Sequence, residues 1–294
     1  LVLGKLNESY ILASETCALD IIGAKFIREI KNGEVVVITK DGLESYMPFP
    51  KKPERPCIFE YIYFARPDSI VGGKSIYECR KVFGRELANE SHIDADMVIP
   101  VPDSGVPSAI GYAEQAGIPF ELGITRNHYV GRTFIQPKQS IRSFSVRLKH
   151  NANRTLVAGK KIVLIDDSIV RGTTSLKIVR MMRDAGAKEI HFRVSSPPIT
   201  HSDFYGIDTP SRDQLLASEK NVAEMCEYLG ADSLAFLSIE GIYRALGHKN
   251  GRNADCPQYT DHCFTGDYPT GLEDCLLYTS DAADEGLGVD LGGR

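Results

Sequence analysis

The most informative part of the chain is the thirteen-residue sequence Val163-Leu-Ile-Asp-Asp-Ser-Ile-Val-Arg-Gly-Thr-Thr-Ser175. Its apolar, β-branched start predicts a buried strand over 161–165, and the apolar spacing that follows predicts a helix over 173–185. The hydroxyls, the glycine and the free N–H groups at the start of that helix form a cradle for a phosphate dianion. The paired carboxylates Asp166 and Asp167 suit sugar hydroxyls or a bridging Mg²⁺ ion instead. We therefore expect one loop to hold a phosphate at one end and a sugar at the other.

Strands and helices alternate on both sides of this loop. A short apolar strand is predicted over 97–101, followed by the polar loop Pro102-Asp-Ser-Gly105 and a helix that reaches about residue 115. A further strand is predicted over 190–194. Strands that alternate with helices of this length indicate an α/β domain built on a mostly parallel sheet. Both polar loops then lie at the carboxyl ends of strands, where such sheets bind ligands.

The first fifty residues have a different pattern, with short strand-like runs and turns in place of helices. The run Ile30-Lys-Asn-Gly-Glu-Val-Val-Val-Ile38 predicts a hairpin around Asn32-Gly33. We interpret residues 1–50 as the end of a β-rich domain whose beginning lies outside the chain.

Two further segments separate the chain into regions. Four prolines between residues 48 and 56 predict a linker over 51–58, so the α/β domain with its C-terminal elaboration covers 59–274. Residues 275–294 lack periodicity, are rich in Gly and Asp, and resemble a translated sequencing adaptor. We predict that they are a non-native, disordered tail.

Composition excludes several classes of protein. The chain has 294 residues, 34 Lys and Arg against 39 Asp and Glu, and 43% apolar residues, which is typical of a globular protein. No apolar run reaches the length of about 18 residues that spans a bilayer, so no membrane partner is expected. The seven cysteines are scattered and odd in number, which favours reduced thiols and a cytoplasmic location over a disulfide framework.

The distribution of charge is more informative than the net charge of −5. No Asp or Glu occurs from Leu122 to Ile165. The same segment holds nine basic residues: Arg126, Arg132, Lys138, Arg142, Arg147, Lys149, Arg154, Lys160 and Lys161. A purely basic segment in an acidic protein predicts that a small anion binds at this segment.

The thirteen-residue sequence resembles the binding motif for 5-phosphoribosyl-1-pyrophosphate (PRPP) of type I phosphoribosyltransferases. Within that fold, the chain is similar to the amidophosphoribosyltransferase family, glutamine-using enzymes that open purine synthesis. The other stretches that carry this similarity are Phe59-Glu-Tyr-Ile-Tyr-Phe-Ala-Arg-Pro-Asp68, Pro100-Val-Pro-Asp-Ser-Gly105, Tyr129-Val-Gly-Arg-Thr-Phe134 and Asn151-Ala-Asn-Arg154. The resemblance implies a type I phosphoribosyltransferase fold, preceded in residues 1–50 by a remnant of the family's N-terminal-nucleophile glutaminase domain.

The resemblance also implies roles for individual residues. Asp166 and Asp167 would bind the ribose hydroxyls, and the pyrophosphate loop would be Asp103, Ser104 and Gly105. The 5′-phosphate would be held by residues 168–174, namely Ser168, Arg171, Gly172, Thr173 and Thr174. The positions of the family's Mg²⁺ ligands hold Ser104, Asp166 and Asp167, and Mg²⁺ would neutralise the pyrophosphate as the glycosidic bond breaks. Two alternatives stay open: an ordinary strand-to-helix turn at 166–174, and Ser104 as a helix N-cap.

In the family, the acid-free segment contains a loop that closes over PRPP. Here this loop would run from about Arg126 to Arg154, with Arg126, Tyr129 and Arg132 as the catalytic residues nearest the ligand. Closure would exclude water from an oxocarbenium-like centre and bring positive charge to the departing pyrophosphate. The alternative is a solvated basic surface that contacts RNA.

The reaction implied is the attack of ammonia on C1 of the ribose, which gives 5-phosphoribosylamine and pyrophosphate. In the family, ammonia comes from glutamine through a cysteine at the mature N-terminus. That residue is not expected here, because the chain starts with Leu1, and Cys17 is interpreted as a buried structural thiol. We therefore expect activity with ammonia but not with glutamine. Purine nucleotides are the expected feedback inhibitors, and a homo-oligomer is expected for the full-length enzyme.

Some members of the family carry a [4Fe–4S] cluster held by four cysteines. Cys57 and Cys263 match two of these positions, but the other two hold Asp203 and Thr260. Carboxylates ligate iron occasionally and threonine is a poor ligand, so Cys256 would have to replace it. We expect no cluster, or a degenerate one.

Two other functions remain possible at this point. A salvage phosphoribosyltransferase would use a purine base or orotate in place of ammonia. A PRPP-binding regulator of the same fold would contact nucleic acid through residues 126–161 and show salt-dependent binding.

Overall fold

The structure, a computed structural model, describes residues 1–127, 150–207 and 209–272. The thirteen strands are β1 (Val2–Leu6), β2 (Ser9–Ala13), β3 (Lys25–Glu29), β4 (Val35–Thr39), β5 (Gly42–Tyr46), β6 (Ile70–Val71), β7 (Lys74–Ser75), β8 (Met97–Pro100), β9 (Ile124–Arg126), β10 (His150–Ala152), β11 (Lys161–Asp166), β12 (Glu189–Val194) and β13 (Ser233–Phe236) among these residues. The α-helices are α1 (Thr16–Ile22), α2 (Ile76–Ser91), α3 (Val106–Ala116), α4 (Arg154–Val157), α5 (Thr173–Asp184), α6 (Leu216–Glu219), α7 (Val222–Leu229), α8 (Ile239–Ala245) and α9 (His262–Thr265), with a π-helix at Glu60–Phe64 and a 3₁₀ turn at Arg212–Gln214. No helix in these ranges is long and apolar enough to cross a bilayer.

Four parallel strands form the central sheet, in the order β13-β12-β11-β8. Strand β11 lies between β12 and β8, with Asp166 beside Val194 and Ile165 beside Pro100. Parallel pairing brings the carboxyl ends of β8 and β11 to the same edge, so the two polar loops that follow them are neighbours. The α/β fold class expected from the sequence is confirmed.

Alternate residues of β11 face two hydrophobic cores, one on each side of the sheet. Val163 and Ile165 are fully buried in a core shared with α2, α3 and α8. Ile162 and Leu164 are fully buried in a second core with α5 and α7. Each such side chain stabilises the fold by roughly 1.5–3 kcal/mol relative to its exposure. The site loop therefore starts from a strand that is buried on both faces of the sheet.

Helices α2 and α3 cross at two glycines. A Cβ built on Gly111 would lie 1.9 Å from the carbonyl oxygen of Lys81, and one built on Gly84 would lie 1.9 Å from that of Ser108. Because the obstacle in both cases is backbone, no side-chain rotation relieves it. The glycines therefore set the distance between these helices, and α3 in turn carries the loop after β8.

We expect Gly111→Ala to destabilise the protein by about 2–3 kcal/mol, since overpacking of this kind costs 1–3 kcal/mol or more and outweighs the gain in helix propensity of about 1 kcal/mol. Urea unfolding would measure this loss. The control is Gln115→Ala on the exposed side of the same helix, which should change the free energy of unfolding by less than about 0.5 kcal/mol. Equal stability of Gly111→Ala and the wild type would contradict the close crossing.

The prediction of a hairpin around Asn32-Gly33 is wrong. The strands on either side of this turn, β3 and β4, belong to different sheets: β3 pairs with β1, and β4 pairs with β5 around Asp41-Gly42. Both turns have sequences that favour a hairpin. The distant strand β1 is the partner of β3, a choice that local turn propensity does not encode.

Three side chains of the first fifty residues accept hydrogen bonds from the start of the α/β domain, one of them Glu29, whose Oε1 accepts from the Gly72 N–H (2.8 Å). Glu15 Oε2 accepts hydrogen bonds from the Arg66 N–H (2.8 Å) and the Ser69 hydroxyl (2.7 Å). Thr16 Oγ1 accepts one from the Ile70 N–H (2.8 Å). The proline-rich segment 48–56 holds no helix or strand. The domain boundaries at 50, 58 and 274 stay predictions, and the tail 275–294 lies outside the described residues.

Candidate functional site

A cavity of about 530 Å³ lies at the carboxyl ends of β8 and β11. Eight of the residues predicted for the site line it: Ser104, Asp166, Asp167, Ser168, Arg171, Gly172, Thr173 and Thr174. The loops after the two strands thus meet around one space, as their positions in the sequence predicted. Their roles toward a ligand stay predictions.

The carboxylates of Asp166 and Asp167 form the floor of this cavity. Both residues are buried, with only 6% and 5% of their surfaces exposed. Asp166 Oδ1 accepts a hydrogen bond from the Asp167 N–H, and Asp167 Oδ2 accepts one from the Ser168 hydroxyl, each at 2.9 Å. Burial, followed by the nearby charge of Asp167, raises the pKa of Asp166 well above its usual range. A charged pair here favours a ligand that supplies positive charge or hydroxyl groups.

These carboxylates fit the Mg²⁺ ion that the resemblance implies. Buried carboxylates are costly without compensation, and neither of the two forms an ion pair within the described ranges. Ser104 also lines the cavity and would add a neutral oxygen ligand. Three oxygen donors, with water and substrate completing the shell, are what Mg²⁺ prefers.

The opposite end of the loop forms the anion cradle. Gly172 has φ 73° and serves as the N-cap of α5, with no side chain occupying the cap position. The N–H groups of the first turn, at Thr173, Thr174 and Ser175, have no acceptor within the helix. They are available to a phosphate, which the helix dipole also favours.

The loop after β8 contributes Ser104 to the cavity. Its neighbours Gly105 and Asp103 have different surroundings. A Cβ on Gly105 would lie 2.5 Å from the carbonyl oxygen of Ile165, so only glycine allows this loop to approach β11. The N-cap of α3 is Gly105, with no side-chain hydrogen bond, so the alternative role of Ser104 as an N-cap is wrong. The exposed carboxylate of Asp103 faces Arg126.

Of the three predicted lid residues, the structure describes only Arg126. It ends β9 and forms an ion pair with Asp103, which connects the basic segment to the loop after β8. The pair is partly exposed, so it contributes little to stability and leaves Arg126 available to an anion. Tyr129 and Arg132 lie outside the described residues, and their roles stay predictions.

An aromatic wall that the sequence analysis did not assign faces the acidic floor. It consists of Phe59, Tyr63 and Phe64, which line the cavity from the π-helix and the residue before it. Phe64 packs against both other rings, with centroids 5.6 Å from Phe59 and 5.5 Å from Tyr63. The apolar, aromatic composition of residues 58–64 was the only feature of the sequence that indicated this wall. Phe59 is buried whereas Tyr63 and Phe64 are exposed, so the wall adds apolar surface to one side of the site.

A buried arginine holds the aromatic wall in place. Arg80 on α2 is 3% exposed. It donates hydrogen bonds to the carbonyl oxygens of Tyr61 (3.0 Å) and Ala65 (2.7 Å), at the end of the π-helix. Burial lowers the pKa of the guanidinium. A cation at the carboxyl end of a helix stabilises it, so Arg80 fixes the wall to the helix behind it.

The four positions that hold a cluster in some family members do not fit one here. The Thr260 hydroxyl donates to the Arg55 carbonyl oxygen (2.7 Å), and Asp203 Oδ1 accepts N–H bonds from its own loop. Burial raises the pKa of Cys57 to about 11 and that of Cys263 well above its usual range. No three His, Cys, Asp or Glu side chains in ranges 1–127, 150–207 and 209–272 are arranged to hold a metal ion.

Cys17 is buried, as predicted, and two further cysteines also belong to the hydrophobic cores. Cys17 is 3% exposed, Cys79 is 7% exposed, and Cys226 packs against the core beside α5. Cys256 is exposed.

Comparisons with known proteins agree with the geometry. A family model for the phosphoribosyl transferase domain matches residues 74–196. An amidophosphoribosyltransferase of Rhizobium etli is 61% identical over 93% of this chain and 56% of the relative, and that of Bacillus subtilis is 49% identical over 94% and 58%. The solved glutamine PRPP amidotransferase from B. subtilis, complexed with ADP and GMP, has a TM-score of 0.84 at 48% identity, over 92% of this chain and 59% of that one. The chain thus spans a little over half the length of these relatives.

Proposed function

The chain belongs to the amidophosphoribosyltransferase family, and from this membership we propose that it forms 5-phosphoribosylamine and pyrophosphate from PRPP and ammonia, the first step of purine synthesis. The observation that carries the proposal is the single cavity in which a buried acid pair and an open helix N-terminus face one another. PRPP has a ribose with two hydroxyls between two phosphate groups, and few other metabolites fit both ends of such a cavity. The proposal includes glutamine as the source of ammonia in the whole enzyme, as the name of the B. subtilis relative indicates.

Each part of the cavity has one task in this proposal. The Asp166–Asp167 pair binds the ribose hydroxyls, and the first turn of α5 binds the 5′-phosphate through its N–H groups. Ser104 and its neighbours in the loop after β8 bind the pyrophosphate. Mg²⁺, held by Ser104, Asp166 and Asp167, supplies charge neutralisation for the leaving group. Arg126, with Tyr129 and Arg132 of the basic segment, brings further positive charge to the same end of the ligand.

The aromatic wall adds apolar surface beside the reacting ribose carbon in this proposal. The reacting ribose carbon becomes oxocarbenium-like, and water at that point would hydrolyse PRPP. Phe59, Tyr63 and Phe64 cover this side with apolar surface.

The proposal also extends to regulation and location. A relative was solved with ADP and GMP bound, which supports purine nucleotides as regulators of this protein. The free thiols of the described cysteines support a cytoplasmic location. The proposal includes assembly of the full-length enzyme into a homo-oligomer.

A pyrophosphate-release assay tests the proposed activity. The purified chain is incubated with PRPP, Mg²⁺ and an ammonium salt, and we expect phosphoribosylamine and pyrophosphate in equal amounts. In parallel reactions hypoxanthine, guanine or orotate replaces ammonium, and we expect no nucleotide product. Turnover of a base in place of ammonium would identify a salvage enzyme. Salt-dependent binding of DNA or RNA without any product would identify a regulator.

A further inference from the structure

The rear of the site cavity contains a buried Asp–His contact. Asp203 and His262 both line the cavity, and the side chain of each is 2% exposed. The distance from His262 Nε2 to Asp203 Oδ2 is 2.8 Å. This short contact joins two segments that are far apart in the chain.

Asp203 organises the loop that carries it. Its Oδ1 accepts hydrogen bonds from the N–H groups of Tyr205 (2.7 Å) and Ile207 (2.9 Å), and its own N–H donates to Thr209 Oγ1 (2.6 Å). Burial alone would raise the pKa of Asp203, but the His262 imidazole and these N–H groups outweigh it and lower the pKa. The loop is therefore wrapped around one ionised carboxylate, and Ile207 and Thr209 form part of the cavity surface.

His262 is fixed just as firmly from the other side. Its ring stacks on Tyr268, with centroids 4.8 Å apart, and meets the edge of Tyr205 at 5.2 Å. The residue before it, Asp261, accepts hydrogen bonds from the Tyr243 hydroxyl and from Arg252 Nε, both at 2.7 Å. Since Tyr243 lies on α8 within the main core, α9 is attached to the rigid part of the domain.

We propose that the Asp203–His262 pair is a metal-free clamp that holds the rear wall of the cavity in place and does the cross-linking that an iron–sulfur cluster would otherwise do. The pair joins the loop 199–207 to the segment 259–268, and Cys57 and Cys263 line the same cavity. Asp203 and His262 are thus positioning residues. They act on the shape of the cavity and not on the reacting atoms.

Anaerobic purification of the wild-type chain tests the first half of the proposal. We expect almost no iron per chain and no broad absorbance of a cluster in the visible range. Four irons per chain with that absorbance would overturn the proposal, whatever the activity of the preparation.

A double-mutant cycle tests the clamp itself. Asp203→Asn keeps the acceptor for the Tyr205 and Ile207 N–H groups but removes the charge, and His262→Gln removes the other partner. Each single variant should lower the melting temperature by about 5 °C or more, and the double variant by clearly less than the sum of the two. Amide exchange of residues 203–207 should accelerate about tenfold or more while that of β11 stays unchanged. Additive losses, or unchanged exchange, would overturn the clamp.

The control is Glu114→Gln, which breaks an exposed contact with Lys81 and Arg85 and should shift the melting temperature by less than about 1 °C. PRPP binding to His262→Gln should weaken several-fold by calorimetry. Only this binding measurement rests on the proposed function. If the variants exchange and melt normally but bind PRPP weakly, the clamp is contradicted. If the variants show altered exchange and melting but the wild type binds no PRPP, only the proposed function is contradicted.

Discussion

Replacing Asp166 and Asp167 together by Asn should abolish Mg²⁺-dependent release of pyrophosphate from PRPP, with a loss in kcat/KM of about 10³-fold or more. The two carboxylates are the buried anionic groups of the cavity floor, and Asn neither attracts a divalent cation nor accepts hydrogen bonds from ribose hydroxyls as strongly. A loss of this size corresponds to about 4 kcal/mol of transition-state stabilisation, which is in the range of removing a metal-assisted leaving-group contact. Steady-state kinetics at several Mg²⁺ concentrations would measure it.

Stability should change in the opposite direction to activity. The pKa of Asp166 is raised in the folded protein, so this group favours the folded state most at low pH and disfavours it as the pH rises through the raised value. Asp166→Asn carries no such cost. We expect the ligand-free variant to melt at or above the wild-type temperature near pH 8, with the difference disappearing near about pH 4. A lower melting temperature at both pH values would contradict the buried, repulsive pair.

The matched control for these variants is Asp184→Asn, at the exposed end of α5. It removes the same charge from the helix that follows the site loop, but far from the cavity. We expect its kinetics and melting temperature to match those of the wild type. Near-normal turnover by the double variant at residues 166 and 167 would rule out the proposed ribose site.

Gly172→Ala should lower kcat/KM for PRPP by about 10²-fold, mainly through a higher KM. Gly172 has φ 73°, a conformation that costs alanine about 1 kcal/mol, and its Cβ would lie 2.5 Å from Leu216 Cδ2. Relief of this contact moves the first turn of α5, whose N–H groups must point at the phosphate. Displacement of such a binding group by an ångström costs on the order of 10²-fold in rate. Kinetics with PRPP and ammonium would measure the effect.

Gly117→Ala separates backbone strain from loss of the phosphate site. Gly117 has nearly the same backbone conformation, with φ 68°, and its Cβ would meet nothing within 4 Å. We expect it to lose about 1 kcal/mol of stability and to keep a normal KM. If both glycine variants bind PRPP normally, the N-terminus of α5 is not the phosphate site.

Much of the α/β domain was predictable from the sequence because its signals are local. The β-branched run before Asp166 predicted the central strand, and Gly186 marked the end of helix α5. Parallel strands then placed the loops after β8 and β11 at one edge without further information. The same reasoning failed at Asn32-Gly33, because two turns of similar propensity competed and a distant strand decided between them.

By itself, the sequence determined the acid pair, the anion cradle and the sheet that carries them, since each depends on neighbours within about fifteen residues. Only the tertiary structure decided what encloses them. The aromatic wall depends on Arg80 reaching the end of the π-helix from α2, and the rear wall depends on Asp203 meeting His262. These contacts join segments far apart in the chain, and their strength comes from burial, which no local pattern of residues specifies.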